Sequence, residues 1–327
     1  MAGTKEQKSW QYREVAAKAL GLNAMSDALI SLAEEGYPIV VGTADVMYSN
    51  NFSKFAEKFP EKYIQFGISE QNMVSAAAGL STTGLTPFVG TFASFLALLC
   101  CEQIRMDVAY CGQPVRLIGH HSGISMGFYG TSHHATEDIA IIRSMADITV
   151  INPADGVSLV AAIRASVKHP YPIYFRFARG QEPNVYSEQD IKFEIGKAIE
   201  HEVGEDLTII ACGIEVYHAI SAAEILKNEG YSVGVIDMHT IKPIDQNAII
   251  NAAKRSSKLM TVEEHNVLGG LGSAVSEVIT SKGIGVKLLR HGIYDEYGLI
   301  GPPTHLYKHY QLDAEGIADV AVKFLGE

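Results

Sequence analysis

The chain has 327 residues, 47% of them hydrophobic and 19% charged, which is enough apolar material for two packed domains and too much for an unfolded polypeptide. A formal charge of −11 disfavours phosphate backbones and anionic lipid, so nucleic acid and membrane surfaces are poor partners. The four cysteines (Cys100, Cys101, Cys111, Cys212) form no CxxC pair, residues 1–20 carry no apolar signal core, and the greasy stretch 86–101 is too short and interrupted to span a bilayer; a reduced, cytoplasmic protein is expected.

Short apolar runs bounded by Gly, Pro or Asp predict strands at 39–46, 63–68, 86–91, 115–119, 148–151 and 173–177. Each except the last is followed by a segment with helical spacing of apolar residues, which predicts a parallel sheet covered on both faces. Segment 180–194 is polar, contains Pro183 and lacks periodicity, so it reads as a linker dividing the chain into domains 1–190 and 191–327. Beyond it the same rhythm restarts, with strands at 207–211, 233–236, 259–262 and 286–289 and helices at 215–228, 245–254, 272–280 and 314–324. The predicted fold is α/β, with two domains that each carry a mostly parallel sheet flanked by helices. No internal repeat is visible.

The segment Phe66-Gly67-Ile68-Ser69-Glu70-Gln71-Asn72-Met73 sets a carboxylate at the first turn of a helix of small residues, Ala76, Ala77, Ala78 and Gly79. In one reading Ser69 caps that helix and Glu70 complements its dipole, a contribution of ~1 kcal/mol. Downstream, a strand ends in Phe92 and Phe95, which share a face if a helix starts there. They are either ordinary core or the apolar wall of a pocket that holds a flat heteroaromatic ligand beside a carboxylate.

Taken in order, Gly42-Thr43-Ala44-Asp45, the Gly67–Met73 run, Pro87-Phe88-Val89-Gly90-Thr91-Phe92, Gly130-Thr131-Ser132-His133-His134-Ala135-Thr136-Glu137-Asp138 and Asn152-Pro153-Ala154-Asp155 resemble the transketolase family. Glu263-Glu264-His265-Asn266 with Gly269-Gly270-Leu271-Gly272 resembles that family's final domain. The resemblance covers nearly the whole chain; the family includes 1-deoxyxylulose-phosphate synthases and the beta subunits of 2-oxo acid dehydrogenases. It implies a domain that binds the pyrimidine end of thiamine diphosphate, followed by the family's C-terminal α/β domain. It also implies that Glu70 hydrogen-bonds the aminopyrimidine ring and activates the cofactor, with Phe92 and Phe95 as its apolar wall and Asp45 near the thiazolium. By the same resemblance His133 contacts the donor sugar's oxygens, His121 and Arg179 its distal anionic group, and Ser49 belongs to the same phosphate cluster. Burial of Glu70 among Phe92, Phe95 and alanines would raise its proton affinity, so that it shares a proton with the ring.

Plainer readings stand beside these. His133 is otherwise a loop residue capping a helix that begins near Ala135, and Arg179 a surface ion-pair partner. His120, His134 and His169 are read as structural or exposed, and Cys100 and Cys101 as helix core.

The chain departs from the family at Tyr129, where sugar-phosphate transketolases carry an aspartate ahead of the active-site histidine. Leu22 or Asn23 replaces a phosphate-binding arginine, and Leu98 a third pocket aromatic. A substrate-facing phenol at Tyr129 points to an unusual sugar. The Gly-Asp-Gly of the diphosphate-binding half does not occur, and Asn50-Asn51 reads as a turn. The resemblance therefore implies an N-terminal transketolase subunit that holds the diphosphate and a Mg2+ or Ca2+ ion, in a heterotetramer with two of each chain, self-associated through the pyrimidine domain. The expected reaction is transfer of a two-carbon ketol unit from a ketose to an aldose, by a transferase active only with that partner. The alternatives are a 2-oxo acid dehydrogenase beta subunit, a 1-deoxyxylulose-phosphate-synthase-like enzyme and a non-catalytic family member.

Overall fold

Strands covered by helices on both faces need apolar side chains at nearly every position, and β1 (Ile39–Thr43), which follows α1 (Leu20–Glu34), is buried throughout. The computed structural model describes residues 20–179, 182–188 and 191–326. The chain continues through α2 (Ser53–Lys58), β2 (Tyr63–Gln65), α3 (Glu70–Ser81) and β3 (Thr86–Phe92). Two π-helical segments, Phe95–Leu99 and Ile104–Tyr110, then flank α4, a single α-helical turn (Cys101–Gln103). After them come β4 (Arg116–His120), α5 (Asp138–Ser144), β5 (Thr149–Ile151), α6 (Gly156–Ser166) and β6 (Ile173–Arg176).

The second half contains β7 (Ile199–Glu202), β8 (Leu207–Ala211), α7 (Glu215–Asn228), β9 (Val233–Asp237) and β10 (Thr240–Lys242). It ends with α8 (Gln246–Arg255), β11 (Lys258–Asn266), α9 (Leu271–Ser281), β12 (Lys287–Ile293), α10 (Pro303–His309) and α11 (Ala314–Gly326). A seven-stranded sheet runs β10-β5-β6-β4-β3-β1-β2 and a five-stranded sheet runs β12-β11-β8-β9-β7. Among the described strands only β10 and β7 pair antiparallel. β10 comes from the second half yet completes the edge of the first sheet, with Thr240 opposite Ile151.

Several local expectations shift. The strand expected over 39–46 stops at Thr43, because Asp45 takes a left-handed backbone, φ 59°. β7 and β10 escape the pattern search: the burial of β7 alternates with charged residues, as in a solvated edge strand, and β10 is three residues long. Ser69 stands at the start of α3 but its side chain makes no capping bond. Asp155 and Asp245 do cap helices, accepting from the amides of Ser158 and Ala248. The described residues of 180–194 form no helix or strand, yet they are tied down: Asp155 accepts from the amides of Val185 and Tyr186, and the Tyr186 hydroxyl donates to Asp237 at 2.7 Å. No helix among the described residues is long and apolar enough to cross a membrane.

The two halves share one apolar core, in which Met73, Ala77 and Ile142 of the first join Leu271 and Val275 of the second. A polar knot sits beside it. Arg176, buried at the end of β6, donates from Nε to Asp138 at 2.9 Å and from Nη2 to the carbonyls of Ala135 and Glu264, at 3.1 and 2.8 Å. The Tyr174 hydroxyl donates to the same carboxylate at 2.8 Å. A charge pair sealed from water is tolerated when every donor is met, and losing one partner strands the other. Asp138→Ala is expected to cost about 3–5 kcal/mol in urea unfolding; a loss below about 1 kcal/mol would show that the pair does not anchor the fold.

Candidate active site

In open parallel sheets, ligands bind past the carboxyl ends of the strands where the order reverses. Here the reversal falls between β1 and β3, with β2 on one side and β4 on the other. Every residue singled out from the sequence lies at that edge. Asp45 and Ser49 follow β1, Glu70 follows β2, Phe92 and Phe95 end and follow β3, His121, Tyr129 and His133 follow β4, and Arg179 follows β6.

Most of them meet in one cluster. The rings of Phe92 and Phe95 stand edge to face at 5.4 Å, and His133 packs on both, at 5.3 and 5.1 Å. His121 lies 5.1 Å from Phe92, and Tyr129 lies 4.8 Å from His133. The Arg179 guanidinium sits over the Phe128 ring at 5.5 Å, a cation–π geometry. Arg179 is buried, which sets aside its reading as a surface ion-pair partner. His133 does not cap α5, which starts at Asp138 after Glu137; its Nδ1 pairs with the Ser132 hydroxyl at 2.9 Å.

Electrostatics keep the cluster's imidazoles neutral. Desolvation lowers the pKa of His133, and it drives His121 well below the ordinary value, helped by His120, Arg179 and His133 nearby. A neutral ring both donates and accepts, which suits contact with hydroxyls, while Arg179 supplies the fixed positive charge. His121 also holds a left-handed backbone, φ 56°, a conformation that costs of order 1–3 kcal/mol and recurs at ligand sites.

Two expectations need correction. Glu70 is half-buried rather than enclosed by Phe92, Phe95 and alanines. The start of α3 projects from the sheet edge beside the π-helical segment, where Gln71 donates to the Leu99 carbonyl at 2.9 Å and the Glu70 charge adds to the burial that pushes Cys100 up to about 12. No described residue hydrogen-bonds the Glu70 side chain, and Ile68 (85%), Leu98 (54%) and Leu99 (53%), on the turn before α3 and on the π-helical segment packed against it, are exposed. The second correction concerns Phe92, whose ring packs against Phe95 and three histidines, His120, His121 and His133. Asp45 is exposed, its amide donating to Gln65 at 2.7 Å, and Ser49 is half-buried in the turn beyond it.

His120 is a member of the cluster that the sequence reading passes over. It is fully buried, its ring lies 4.9 Å from Phe92, and its Nδ1 meets Nδ1 of His121 in a short contact, so one ring donates and the other accepts. The available signal is its place as the last residue of a strand that leads into the site. His134 is buried as well, and Cys100 joins the core as expected.

Residues 21–183 match the family model described as the transketolase pyrimidine binding domain, and residues 196–317 match the transketolase C-terminal domain. A protein of Methanocaldococcus jannaschii, provisionally named transketolase C-terminal section, is 43% identical over 89% of this chain and 92% of its own length. One of the subunits of the apulose-4-phosphate transketolase of Phocaeicola vulgatus is 36% identical over 92% of this chain and 96% of its own. A solved structure described as a split gene transketolase, an inactive beta4 tetramer, overlays with a TM-score of 0.86 at 38% identity, covering 93% of this chain and 97% of that one.

Burial holds the His120 pKa down to about 3, whereas in the unfolded chain it protonates near 6.5. Its contribution to stability is therefore complete above about pH 6.5 and drains away as pH falls toward 3. His120→Gln should flatten the acid limb of stability against pH by up to about 1.4 kcal/mol per pH unit in that window. Urea unfolding between about pH 4 and 7 reads the slope, and identical slopes for variant and wild type would contradict the assignment.

Proposed function

The chain belongs to the transketolase family, and from that premise we propose that it is the pyrimidine-binding subunit of a two-chain, thiamine-diphosphate-dependent transketolase, with 1–190 as its pyrimidine-binding domain and 191–327 as the family's C-terminal domain. The reaction is transfer of a two-carbon ketol unit from a ketose to an aldose. One observation carries the reading: Glu70, half-buried and without a hydrogen-bond partner among the described residues, is the first residue of α3, which packs against the π-helical segment that carries exposed Leu98 and Leu99. A free carboxylate beside an apolar surface matches an aminopyrimidine, which offers a ring nitrogen to a carboxyl and flat faces to aliphatic groups. The residues present thus fit the cofactor's pyrimidine end.

The chemistry the cofactor supplies is a nucleophilic carbon able to add to a ketose carbonyl and carry two carbons. Glu70 would hold a proton in common with a nitrogen of the aminopyrimidine through a carboxylate oxygen. Phe92 and Phe95 fix the histidines of the cluster, and Asp45 would stand near the thiazolium. His133, kept neutral, donates to or accepts from the donor sugar's oxygens. His121, Ser49 and Arg179 hold the distal anionic group, and Tyr129 offers a phenol where relatives that act on common sugar phosphates carry a carboxylate.

Assembly follows from the same surface. Ile68, Leu98, Leu99 and Tyr110 are exposed on the turn before α3 and on the π-helical segments packed against it, and exposed apolar groups of this kind mark an interface. Covering it would shield Glu70 from water. We assign the cover to an N-terminal chain that holds the diphosphate and its Mg2+ or Ca2+, with two copies of each chain joined through the pyrimidine domains. The relatives named as a transketolase subunit and as a C-terminal section support a division of labour between chains, as does the split-gene neighbour described as an inactive beta4 tetramer.

The test is reconstitution. This chain alone should transfer no ketol unit, and adding the diphosphate-binding chain, thiamine diphosphate and Mg2+ should give transfer from a ketose phosphate to an aldose phosphate. Glu70→Gln in that complex should lower turnover about 10²–10⁴-fold with an unchanged circular dichroism spectrum. Full turnover by the amide variant, or 2-oxo acid oxidation in place of ketol transfer, refutes the reading.

A further inference from the structure

The substrate contacts proposed on the β4 side all ride on one loop, residues 121–136, which leaves β4 at His121 and returns through His133 to α5. Its neck is closed by a two-residue antiparallel bridge, with Gly123 N donating to Ala135 O at 3.1 Å and Ala135 N to Gly123 O at 2.9 Å. The second half of the chain grips this neck from outside. Glu264, buried in β11, accepts from the Ile124 amide at 2.8 Å and from the Tyr307 hydroxyl at 2.6 Å, both at Oε1.

On the other arm, Ala135 O takes a bond from Arg176, whose same nitrogen reaches the Glu264 carbonyl, and Thr136 O accepts from the Asn266 amide at 2.8 Å. Gly123 holds φ +56°, and a β-carbon there would lie 2.1 Å from the Glu264 carboxyl carbon, so the carboxylate comes as close as only glycine allows. Farther out, Ile300 presses on Gly130 and the Gly301 amide reaches Gly127 O at 3.4 Å.

We infer that Glu264 is a positioning residue: through the Ile124 amide and the Gly123–Ala135 bridge it sets the loop that carries His121, Tyr129 and His133, so the C-terminal domain moulds the substrate side of a site it does not itself line. The inference rests on the proposed transketolase function for its kinetic consequence but not for its structural one. Burial raises the Glu264 pKa to about 8, while Arg176, the Tyr307 hydroxyl and the Ile124 amide oppose that rise, as donors facing an acceptor do. Removing the carboxylate leaves a buried amide and a buried hydroxyl unpaired at the loop's neck. Among the described residues no hydrogen bond or ion pair joins Glu264 to α3, which carries Glu70.

Two measurements test this. Hydrogen–deuterium exchange on the free chain should show residues 121–136 exchanging at least about fivefold faster in Glu264→Ala, with β1, β3 and α3 unchanged. Glu264→Gln, which keeps an acceptor for the Ile124 amide, should return to within about twofold of wild type. Tyr307→Phe, a milder change should the alanine variant fail to fold, should loosen the same segment by a smaller factor.

In the reconstituted complex, Glu264→Ala should raise KM for D-xylulose 5-phosphate about tenfold, and raise it less for hydroxypyruvate, which lacks the distal phosphate. Thiamine diphosphate affinity should stay within about twofold. Unchanged exchange at 121–136 in both the alanine and phenylalanine variants, exchange that rises equally over the whole sheet, or equal KM changes for the two donors overturns the inference. A wild-type complex that transfers no ketol unit would refute the proposed function, and the exchange comparison would then decide the positioning role by itself.

Discussion

A guanidinium held away from water must have its donors met by protein, and the way Arg176 meets that requirement organises the molecule. Its Nε occupies the Asp138 carboxylate at the start of α5, and its Nη2 lies between a carbonyl of the first half and a carbonyl of β11 in the second. Strand β6, the loop after β4 and the second sheet are thereby held in fixed relation, because each leans on the same cation. An apolar cluster that draws on both halves packs them together, but apolar contact is non-directional. Directionality comes from the charged knot.

The cleft has two sides of different character. Around His133 the side chains are packed ring against ring and the imidazoles are neutral, so that side is organised before any ligand arrives. At Glu70 the carboxylate has no hydrogen-bond partner among the described residues, and Leu98 and Leu99 on the segment packed against α3 are exposed. Preorganised polar contacts on one face and an uncovered acid on the other are what a site shared with a second polypeptide would require. The family assignment and the proposed division between chains thus have a physical correlate in how unevenly the cleft is finished.

The sequence was readable where burial is two-sided. Runs such as Ile39–Thr43 and Leu207–Ala211 are apolar at nearly every position because helices cover both faces, and they stand out against turns rich in Gly and Asp. The polar edge strand Ile199–Glu202 and the three-residue Thr240–Lys242 carry no such mark, since their places depend on partners far along the chain. At the site, residue order revealed membership of the cluster but not its packing. Nothing local in His120 announces that it lies against Phe92, and nothing in Glu264 announces that it reaches Ile124 across 140 positions. The expected burial of Glu70 failed for a related reason: residue order does not say how closely apolar neighbours approach a side chain.

The strand Thr240–Lys242 bears on how the chain can be divided. Although the sequence divides near residue 190, the outermost strand of the first sheet is supplied by the second half and pairs antiparallel with Thr149–Ile151. A fragment cut at that division would lose the second half's share of the common core and bare the hydrogen-bonding rim of Thr149–Ile151, which invites pairing with a stranger. The two halves are modules to the eye of the pattern reader but not to the chain.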